Sequence, residues 1–231
     1  LLNASFFVFI SPSYLEKLFS YSIFNEYRDL LIKKSVVIPN GVDKFWSKNV
    51  KEKKSEIQFP LKLLFVGRII KSKNLVNLAK AVIQLNSTGF PCVLDVYGDP
   101  GNGFKPFMKF VDKFDCIKYN GFINSKEELE NVYRSHSIFV MPSYNETFGL
   151  VYIEALSQGI PVLYSLNDGI DNFYRDIGKA VDPTDVNSIA EGIISIYENY
   201  SSLLFDPKII VNNHNWDLIS KKYYDLYLKA I

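Results

Sequence analysis

The sequence predicts an α/β fold in which a parallel sheet is covered by helices on both faces. After Pro60, short apolar runs alternate with segments of helical spacing, a pattern typical of repeated strand–helix–strand units. The apolar runs predict strands at 62–67, 92–98, 117–122, 137–143 and 161–165. Helical spacing predicts helices at 75–85, 104–114, 149–159, 186–200 and 215–230, and a capping box predicts a further helix from Ser125. Because ligands bind such sheets beyond the carboxyl ends of the strands, the loops there are the candidate site.

The residues before this alternating pattern predict a separate, smaller unit. They comprise an apolar strand at 6–10, a helix over about 12–24 that begins after Ser11, and a strand at 36–39 closed by an Asn-Gly turn. The polar, charged stretch 47–56 has no periodicity and predicts a solvated linker. We therefore divide the chain into 1–46 and 47–231. Since the chain begins with Leu, we also expect sequence upstream of it.

Composition excludes several classes of function. The net charge of +1 gives no strong field for nucleic acid. Cys92 and Cys116 have neither disulfide nor metal-ligand spacing, so buried thiols in a reducing compartment are expected. The first ten residues are apolar but shorter than the roughly 20 residues needed to span a bilayer.

We expect His136 to be structural and His214 to lie on the surface.

The segment PSYNETFGLVYIEA (142–155) is the strongest candidate for chemistry. A helix beginning at Phe148-Gly149 would leave the amides of Phe148, Gly149 and Leu150 free, and these amides suit an anion such as a diphosphate. Glu146 and Glu154 flank that helix start, and carboxylates are good acceptors for vicinal hydroxyls. This spacing therefore predicts that main-chain amides bind a phosphate group. It also predicts that the carboxylates on either side accept hydrogen bonds from the hydroxyls of two polyol groups.

The segment VGRIIKSKN (66–74) predicts cations at the same crevice. Gly67 and Arg68 close one strand, and Lys73 lies at the start of the next helix, with Lys71 as the second choice for that cation. Arginine offers a bidentate fork for phosphate oxygens and lysine a point charge. Both would neutralise a departing nucleoside diphosphate.

Together, GR-x4-KN after a strand and PS-x2-E-x-FG-x4-E-A-x3-G-x-PV resemble the motifs of glycosyltransferase family 4, which are retaining enzymes of the GT-B fold. The segments SPSYLEKL (11–18) and VVIPNGVD (36–43) resemble the end of that family's N-terminal domain. The resemblance implies a Rossmann-like doubly wound sheet, the C-terminal half of a GT-B enzyme, whose last helix at 215–230 packs back toward the N-terminal domain. The chain departs from the family pattern at Asp168-Gly169, where two glycines are usual.

The resemblance also implies roles for individual residues. The implied catalytic residues are Glu146, Arg68 and Lys73. The implied donor-binding residues are Gly67, Arg68, Lys73, Phe122, Ile123, Glu146, Thr147, Phe148, Gly149, Leu150 and Glu154. Within this set, Arg68 and Lys73 would bind the diphosphate, Glu154 the ribose, and main-chain atoms of Phe122 or Ile123 the base. Neither a metal nor a cofactor is implied, since the UDP- or GDP-linked sugar is itself a substrate.

The function implied is retaining transfer of a hexosyl group to a saccharide or lipid-linked acceptor in surface polysaccharide biosynthesis. We expect a cytoplasmic bacterial enzyme, with any peripheral membrane contact made through the missing N-terminal domain. Without that domain, the chain is expected to bind donor weakly, to transfer little sugar, and to be able to self-associate. Two alternatives remain open: a non-catalytic nucleotide-sugar-binding module, and a GT-B-type nucleotide-sugar epimerase. The first would keep its function in Glu146→Gln, and the second would yield an epimer instead of a glycoside.

Overall fold

The computed structural model describes residues 3–230. The first unit is small and contains a two-stranded parallel sheet. Its elements are β1 (Phe7–Phe9), α1 (Pro12–Phe19), a 3-10 helix (Ser22–Tyr27), α2 (Arg28–Lys34) and β2 (Ser35–Val37). Ser11 caps α1 by accepting a hydrogen bond from the amide of Tyr14, and Pro12 occupies the first helical position.

The second unit is built on a six-stranded sheet whose neighbouring strands are all parallel. Its strands are β3 (Leu61–Val66), β4 (Cys92–Tyr97), β5 (Ile117–Tyr119), β6 (Ile138–Val140), β7 (Val162–Ser165) and β8 (Gly178–Val181). Its helices are α3 (Lys44–Lys48), α4 (Leu75–Ser87), α5 (Phe104–Val111), α6 (Lys126–Ser135), α7 (Leu150–Ser157), α8 (Val186–Glu198), α9 (Pro207–Asn213) and α10 (Trp216–Ala230), with 3-10 turns at Lys71–Lys73 and Tyr200–Ser202. The predicted doubly wound parallel sheet is therefore confirmed.

The strand order β5-β4-β3-β6-β7-β8 determines where a ligand can bind. From β3 the chain winds outward through β4 to β5, then returns to place β6 on the other side of β3. Loops leaving β3 and β6 therefore diverge and open a crevice at the carboxyl edge of the sheet, which is the switch point of a doubly wound fold. The two candidate segments of the sequence follow these two strands.

Helices pack against the sheet in two groups. Every residue of β6 and β7 is buried, whereas Lys62 of β3 and Lys118 of β5 are exposed. Contacts join α4 to α5 and α8, and join α7 to α3 and α9. The strands are short and rich in β-branched and aromatic residues, as expected for a parallel sheet covered on both faces. Among the described residues, no helix has both the length and the apolar character needed to cross a bilayer.

Several predicted elements were longer than the observed ones, and some observed elements were not predicted. The first helix ends at Phe19 instead of residue 24, because the chain turns at Ser20 and continues as a 3-10 helix. The predicted strand 137–143 is regular only over 138–140. The missed elements α2, α3, β8 and α9 have four to seven residues each, too few to show periodicity.

The segment predicted as a solvated linker is held against the second unit. It forms no regular element after α3, but Lys51 donates its amide to the carbonyl of Ser157 at 2.9 Å. The ammonium of Lys53 donates to the carbonyl of Tyr200 and lies 4.1 Å from the centre of that ring. Its lysines thus bind the protein's own carbonyl groups and an aromatic ring, which charge composition alone does not reveal.

The final helix packs on the first unit. Ile219 and Leu226 of α10 form a buried cluster with Ile38, which follows β2. At the start of α10, the ring of Trp216 covers Gly41 so closely that a Cβ there would lie 2.5 Å from it. The helix predicted at 215–230 therefore contacts residues near both strands of the small sheet.

The prediction for His214 was wrong, because its side chain is 0% exposed. Its Nδ1 lies 2.8 Å from the carbonyl oxygen of Asn40, and its Nε2 lies 3.0 Å from the hydroxyl of Tyr174. A carbonyl only accepts, so Nδ1 carries the proton and Nε2 accepts from the tyrosine. Its ring also packs 5.2 Å from that of Phe148. Burial lowers the pKa of His214 to about 4, so the imidazole is neutral at pH 7.

His136, by contrast, is structural, as its position before a strand indicated. It is buried, and its Nε2 lies 3.0 Å from a carboxylate oxygen of Asp95 on β4. Burial tends to raise the pKa of Asp95, but hydrogen bonds from His136 and Asn120 outweigh burial and lower it. This contact fastens the end of α6 to the sheet.

The burial of His214 predicts a pH dependence of stability. An unfolded histidine titrates near 6.5 and the folded one near 4, so the unfolded chain binds more protons between these values. We expect the free energy of unfolding to fall by about 2 kcal/mol between pH 7.5 and pH 5 from this group. Urea unfolding at both pH values measures the change. His214→Gln lacks the titrating ring, so its free energy of unfolding should fall by about 2 kcal/mol less over the same pH interval. An equal fall in both proteins would contradict the assignment.

Candidate functional site

Lys73 and Glu146 meet across the switch point of the sheet. Lys73 ends the 3-10 turn that follows β3, and Glu146 lies in the loop that follows β6. Their ammonium and carboxylate groups form an ion pair in which the glutamate side chain is only 12% exposed. The strand order thus brings together two charged residues that are 73 positions apart.

The loops around this pair are held by polar contacts. Asn74 adopts a left-handed conformation, and its side-chain amide donates to the carbonyls of Pro142 and Pro183 at 3.0 and 2.6 Å. The amide of Tyr144 donates to the carbonyl of Ser72 at 2.6 Å. The loops after β3, β6 and β8 are therefore fixed relative to one another.

Glu146 is held through its own backbone. Its amide donates to a carboxylate oxygen of Asp168 at 2.8 Å, and its carbonyl accepts from the amide of Gly169 at 2.9 Å. Asp171 in turn accepts from the amides of Asn167 and Asn172. Asp168, at the point where the chain departs from the family pattern, and Asp171 therefore organise the loop after β7, and Asp168 attaches the Glu146 loop to it.

The start of α7 presents unpaired amides. Gly149 precedes the helix at a φ of 83°, and the amides of Phe148, Gly149 and Leu150 donate to no partner within residues 3–230. Such amides, with the helix dipole behind them, suit an anion. The ring of Phe148 itself is buried against Phe173 and His214, so only its main chain can face a ligand.

Glu154 lies apart from the Lys73–Glu146 pair. It is on the second turn of α7, where its carboxylate accepts from the hydroxyl of Tyr133 at 3.1 Å and also from Trp46. Burial raises the pKa of Glu154, although the hydrogen bonds from Tyr133 and Trp46 partly oppose that rise. A carboxylate held by two donors is oriented, with acceptor capacity left for further hydroxyl groups.

Arg68 and Gly67 lie where β3 ends. The side chain of Arg68 is exposed. Within the described range it forms no ion pair, not even with Glu146, and no hydrogen bond with Lys73 or any other residue. Gly67 donates its amide to the carbonyl of Tyr97, and a Cβ on Gly98 would lie 2.0 Å from the carbonyl oxygen of Gly67. Only glycine at position 98 allows β3 and β4 to end this close together.

The remaining predicted residues occupy the rim of the site. Phe122 follows the edge strand β5 and is 56% exposed, while Ile123 is half-buried. Thr147 is exposed, and its carbonyl accepts from the hydroxyl of Ser11 at 2.9 Å. Most of the predicted residues thus follow the carboxyl ends of the strands, whereas Glu154 lies along α7 against Tyr133. Glu146 is the one that contacts other predicted residues, since its carboxylate pairs with Lys73 and accepts from the amide of Thr147.

Sequence reasoning missed the residues that support this edge. Ser11, Lys17, Asp168, Tyr133 and Trp46 each contact a predicted site residue or its loop. Short motifs indicate the residues that face a ligand, whereas these partners are distant in sequence and carry no local signal. Within residues 3–230, no three His, Cys, Asp or Glu side chains are grouped closely enough to hold a metal ion.

The conformation of Gly149 predicts a specific sensitivity to a side chain. In Gly149→Ala the new Cβ would lie 2.6 Å from the ring of Tyr152 at a left-handed φ. Gly89 has the same φ of 83°, but a Cβ added there would meet no atom of the described residues within 4 Å, so Gly89→Ala is a matched control. We expect Gly89→Ala to cost about 1–2 kcal/mol and Gly149→Ala a further ~1–3 kcal/mol. Urea unfolding of both variants measures this, and equal losses would contradict the packing described.

Comparison with known proteins agrees with this architecture. The sequence model of the family described as "Glycosyl transferases group 1" matches residues 47–213. An uncharacterized glycosyltransferase of Methanocaldococcus jannaschii is 27% identical over 230 residues, which cover 91% of this chain and 57% of that protein. The O-antigen chain mannosyltransferase B of Escherichia coli is 29% identical over 142 residues, 60% of this chain and 37% of that protein.

A solved structure shows the same fold. The sucrose-phosphate synthase of Thermosynechococcus elongatus superposes with a TM-score of 0.73 at 25% identity, covering 99% of this chain and 59% of that one. The chain thus spans about half the length of the proteins it resembles. From the family match over most of its length and from its doubly wound sheet, we conclude that the chain belongs to the family of group 1 glycosyl transferases, with the architecture of one half of a GT-B fold.

Proposed function

We propose that this chain is the donor-binding half of a retaining glycosyltransferase of family 4 type. It would bind a UDP- or GDP-linked hexose, and the whole protein would transfer the hexosyl group to a saccharide or lipid-linked acceptor. Surface polysaccharide biosynthesis in the cytoplasm of a bacterium, at the inner face of the membrane, is the context we propose. The similarity to an O-antigen mannosyltransferase supports that context.

The observation that carries the proposal is the Lys73–Glu146 pair beside the unpaired amides of α7. A cation and free amides at one crevice favour a diphosphate, since both stabilise negative charge. A carboxylate next to them disfavours a simple anion site but accepts well from sugar hydroxyls. This combination suits a molecule in which a diphosphate joins a nucleoside to a sugar.

Arg68 would contact the diphosphate itself, and Glu154 would contact the ribose attached to it. The exposed guanidinium of Arg68 has no protein partner in the described range and is therefore available for phosphate oxygens. As the bond to the sugar breaks, negative charge grows on the diphosphate, and Arg68 and Lys73 would stabilise it. Glu154, oriented by Tyr133 and Trp46, would accept from the ribose hydroxyls.

Calorimetric titration of the chain with UDP and with GDP tests donor binding. We expect one of the two nucleotides to bind, and Arg68→Ala to weaken it about 10- to 100-fold, as expected for a lost hydrogen bond to a charged group. Glu154→Gln should weaken it about tenfold by removing the charged acceptor. Arg28→Ala and Glu191→Gln, at exposed positions on α2 and α8, are matched controls that should bind normally. Failure of both nucleotides to bind the unmodified chain would refute the proposal.

Transfer activity is expected to require more protein than this chain. Because the chain spans about half the length of its relatives, we propose that acceptor contacts come from the other half. A radiolabelled nucleotide-sugar assay on the isolated chain should give little or no glycoside while the nucleotide still binds. Glycoside formation at the rate of the complete protein would contradict this, and an epimerised donor would indicate the epimerase alternative.

A further inference from the structure

We propose that Lys17, on α1 of the first unit, is a positioning residue for the loop that carries Glu146. This inference rests on the proposed function, because it concerns how the sugar moiety of the donor is held. Lys17 is 128 positions from Asn145 in sequence and belongs to the segment before the second unit, yet its ammonium reaches the loop after β6.

Lys17 holds this loop from two sides. Its Nζ donates to the side-chain oxygen of Asn145 at 2.7 Å, and Asn145 directly precedes Glu146 in a left-handed conformation. The same Nζ lies 3.5 Å from a carboxylate oxygen of Asp168, whose other oxygen accepts from the amide of Glu146. One ammonium group therefore contacts the residue before Glu146 and the residue that binds the backbone of Glu146.

Lys17 supplies the positive charge that balances the carboxylate of Asp168 at this position. The Asp168 side chain is only 8% exposed, and Lys17 is its only ion-pair partner among the described residues. Glu146 has its own partner in Lys73. Without Lys17, a nearly buried carboxylate next to Glu146 would lose its counter-ion, and Asp168 would be drawn toward water together with the amide it holds.

Two serines of the same segment show that α1 contacts the loops around the site along its first turn. The hydroxyl of Ser11 accepts from the amide of Tyr14 and donates to the carbonyl of Thr147, so the cap of α1 also binds the loop before α7. The hydroxyl of Ser13 donates to the carbonyl of Asp171 at 2.5 Å. Lys17 thus extends an interface in which α1 touches the loops after β6 and β7.

Open space next to Lys17 explains why a single contact matters. A cleft of about 470 Å³ and a smaller pocket of about 160 Å³, which includes Glu146, are both lined by Lys17, Asn145 and Asp168. Because no packed side chains fill these spaces, the loop has room to move once the ammonium is removed.

The experiment compares the nucleoside diphosphate with the corresponding nucleotide sugar. Lys17→Met keeps the aliphatic length and removes the charge. We expect its affinity for the nucleotide sugar, UDP-glucose, UDP-N-acetylglucosamine or GDP-mannose, to fall about three- to fivefold, the range of a partly exposed ion pair. Affinity for UDP or GDP alone should stay within about twofold, because Lys17 contacts neither Arg68, Lys73 and Glu154 nor the amides at the start of α7. Lys17→Arg should restore the nucleotide-sugar affinity.

Lys33→Met is the matched control, since Lys33 is exposed on α2 and has no side-chain partner within residues 3–230. It should leave both affinities unchanged. Amide hydrogen exchange supplies a second measurement that needs no ligand. In Lys17→Met, exchange should rise at the amides of Glu146 and Thr147, which donate to the side chains of Asp168 and Glu146, and not in the strands of the six-stranded sheet. Unchanged exchange there, or an equal loss for nucleotide and nucleotide sugar, would overturn the positioning role. Failure of the unmodified chain to bind any nucleotide would instead overturn the proposed function and this inference with it.

Discussion

The whole site depends on the adjacency of β3 and β6 in a parallel sheet. These two strands are neighbours in space, but three helices and two strands separate them along the chain. Their loops leave in opposite directions, so a crevice forms where they part, and the polar segments that follow both strands line it. Apart from Phe122 and Ile123, which follow β5, the residues discussed as donor contacts follow one of these two strands or lie on α7.

The site is also a balance of charges in a confined space. Lys73 compensates Glu146, and Lys17 compensates Asp168, so two nearly buried carboxylates each have one ammonium partner. Burying a charge is costly unless it is paired and hydrogen-bonded. Under the proposed function, a diphosphate entering this crevice would compete for the ammonium of Lys73, and the hydroxyls of its sugar would then replace that ammonium as partners of Glu146.

Much of this architecture follows from the sequence, for reasons that differ between elements. The alternation of apolar runs with helical spacing predicts the sheet because parallel strands are buried on both faces. The segments at 66–74 and 142–155 predict the edge of the site because glycine, cations and carboxylates directly follow strands. The short strand β8 was missed because its sequence GKAV contains one glycine and one charged residue.

The supporting contacts could not be predicted in the same way. Lys17, Tyr133 and Trp46 act through partners 21 to 151 positions away, and no periodicity connects such distances. His214 illustrates the difficulty most clearly. A histidine before an amphipathic helix is usually exposed, but here aromatic rings from two loops enclose it, which only the assembled fold determines.

The aromatic group around His214 has a consequence for truncated forms of the protein. The imidazole joins a carbonyl of the first unit to Tyr174 and supports Phe148, which lies just before the N-cap Gly149 of α7. A natural variant or proteolytic product ending before residue 214 would retain every strand of both sheets. It would nevertheless lose the ring that packs behind the start of α7. A change near the carboxyl terminus would therefore disturb the crevice between the loops of β3 and β6 without altering a single residue that lines it.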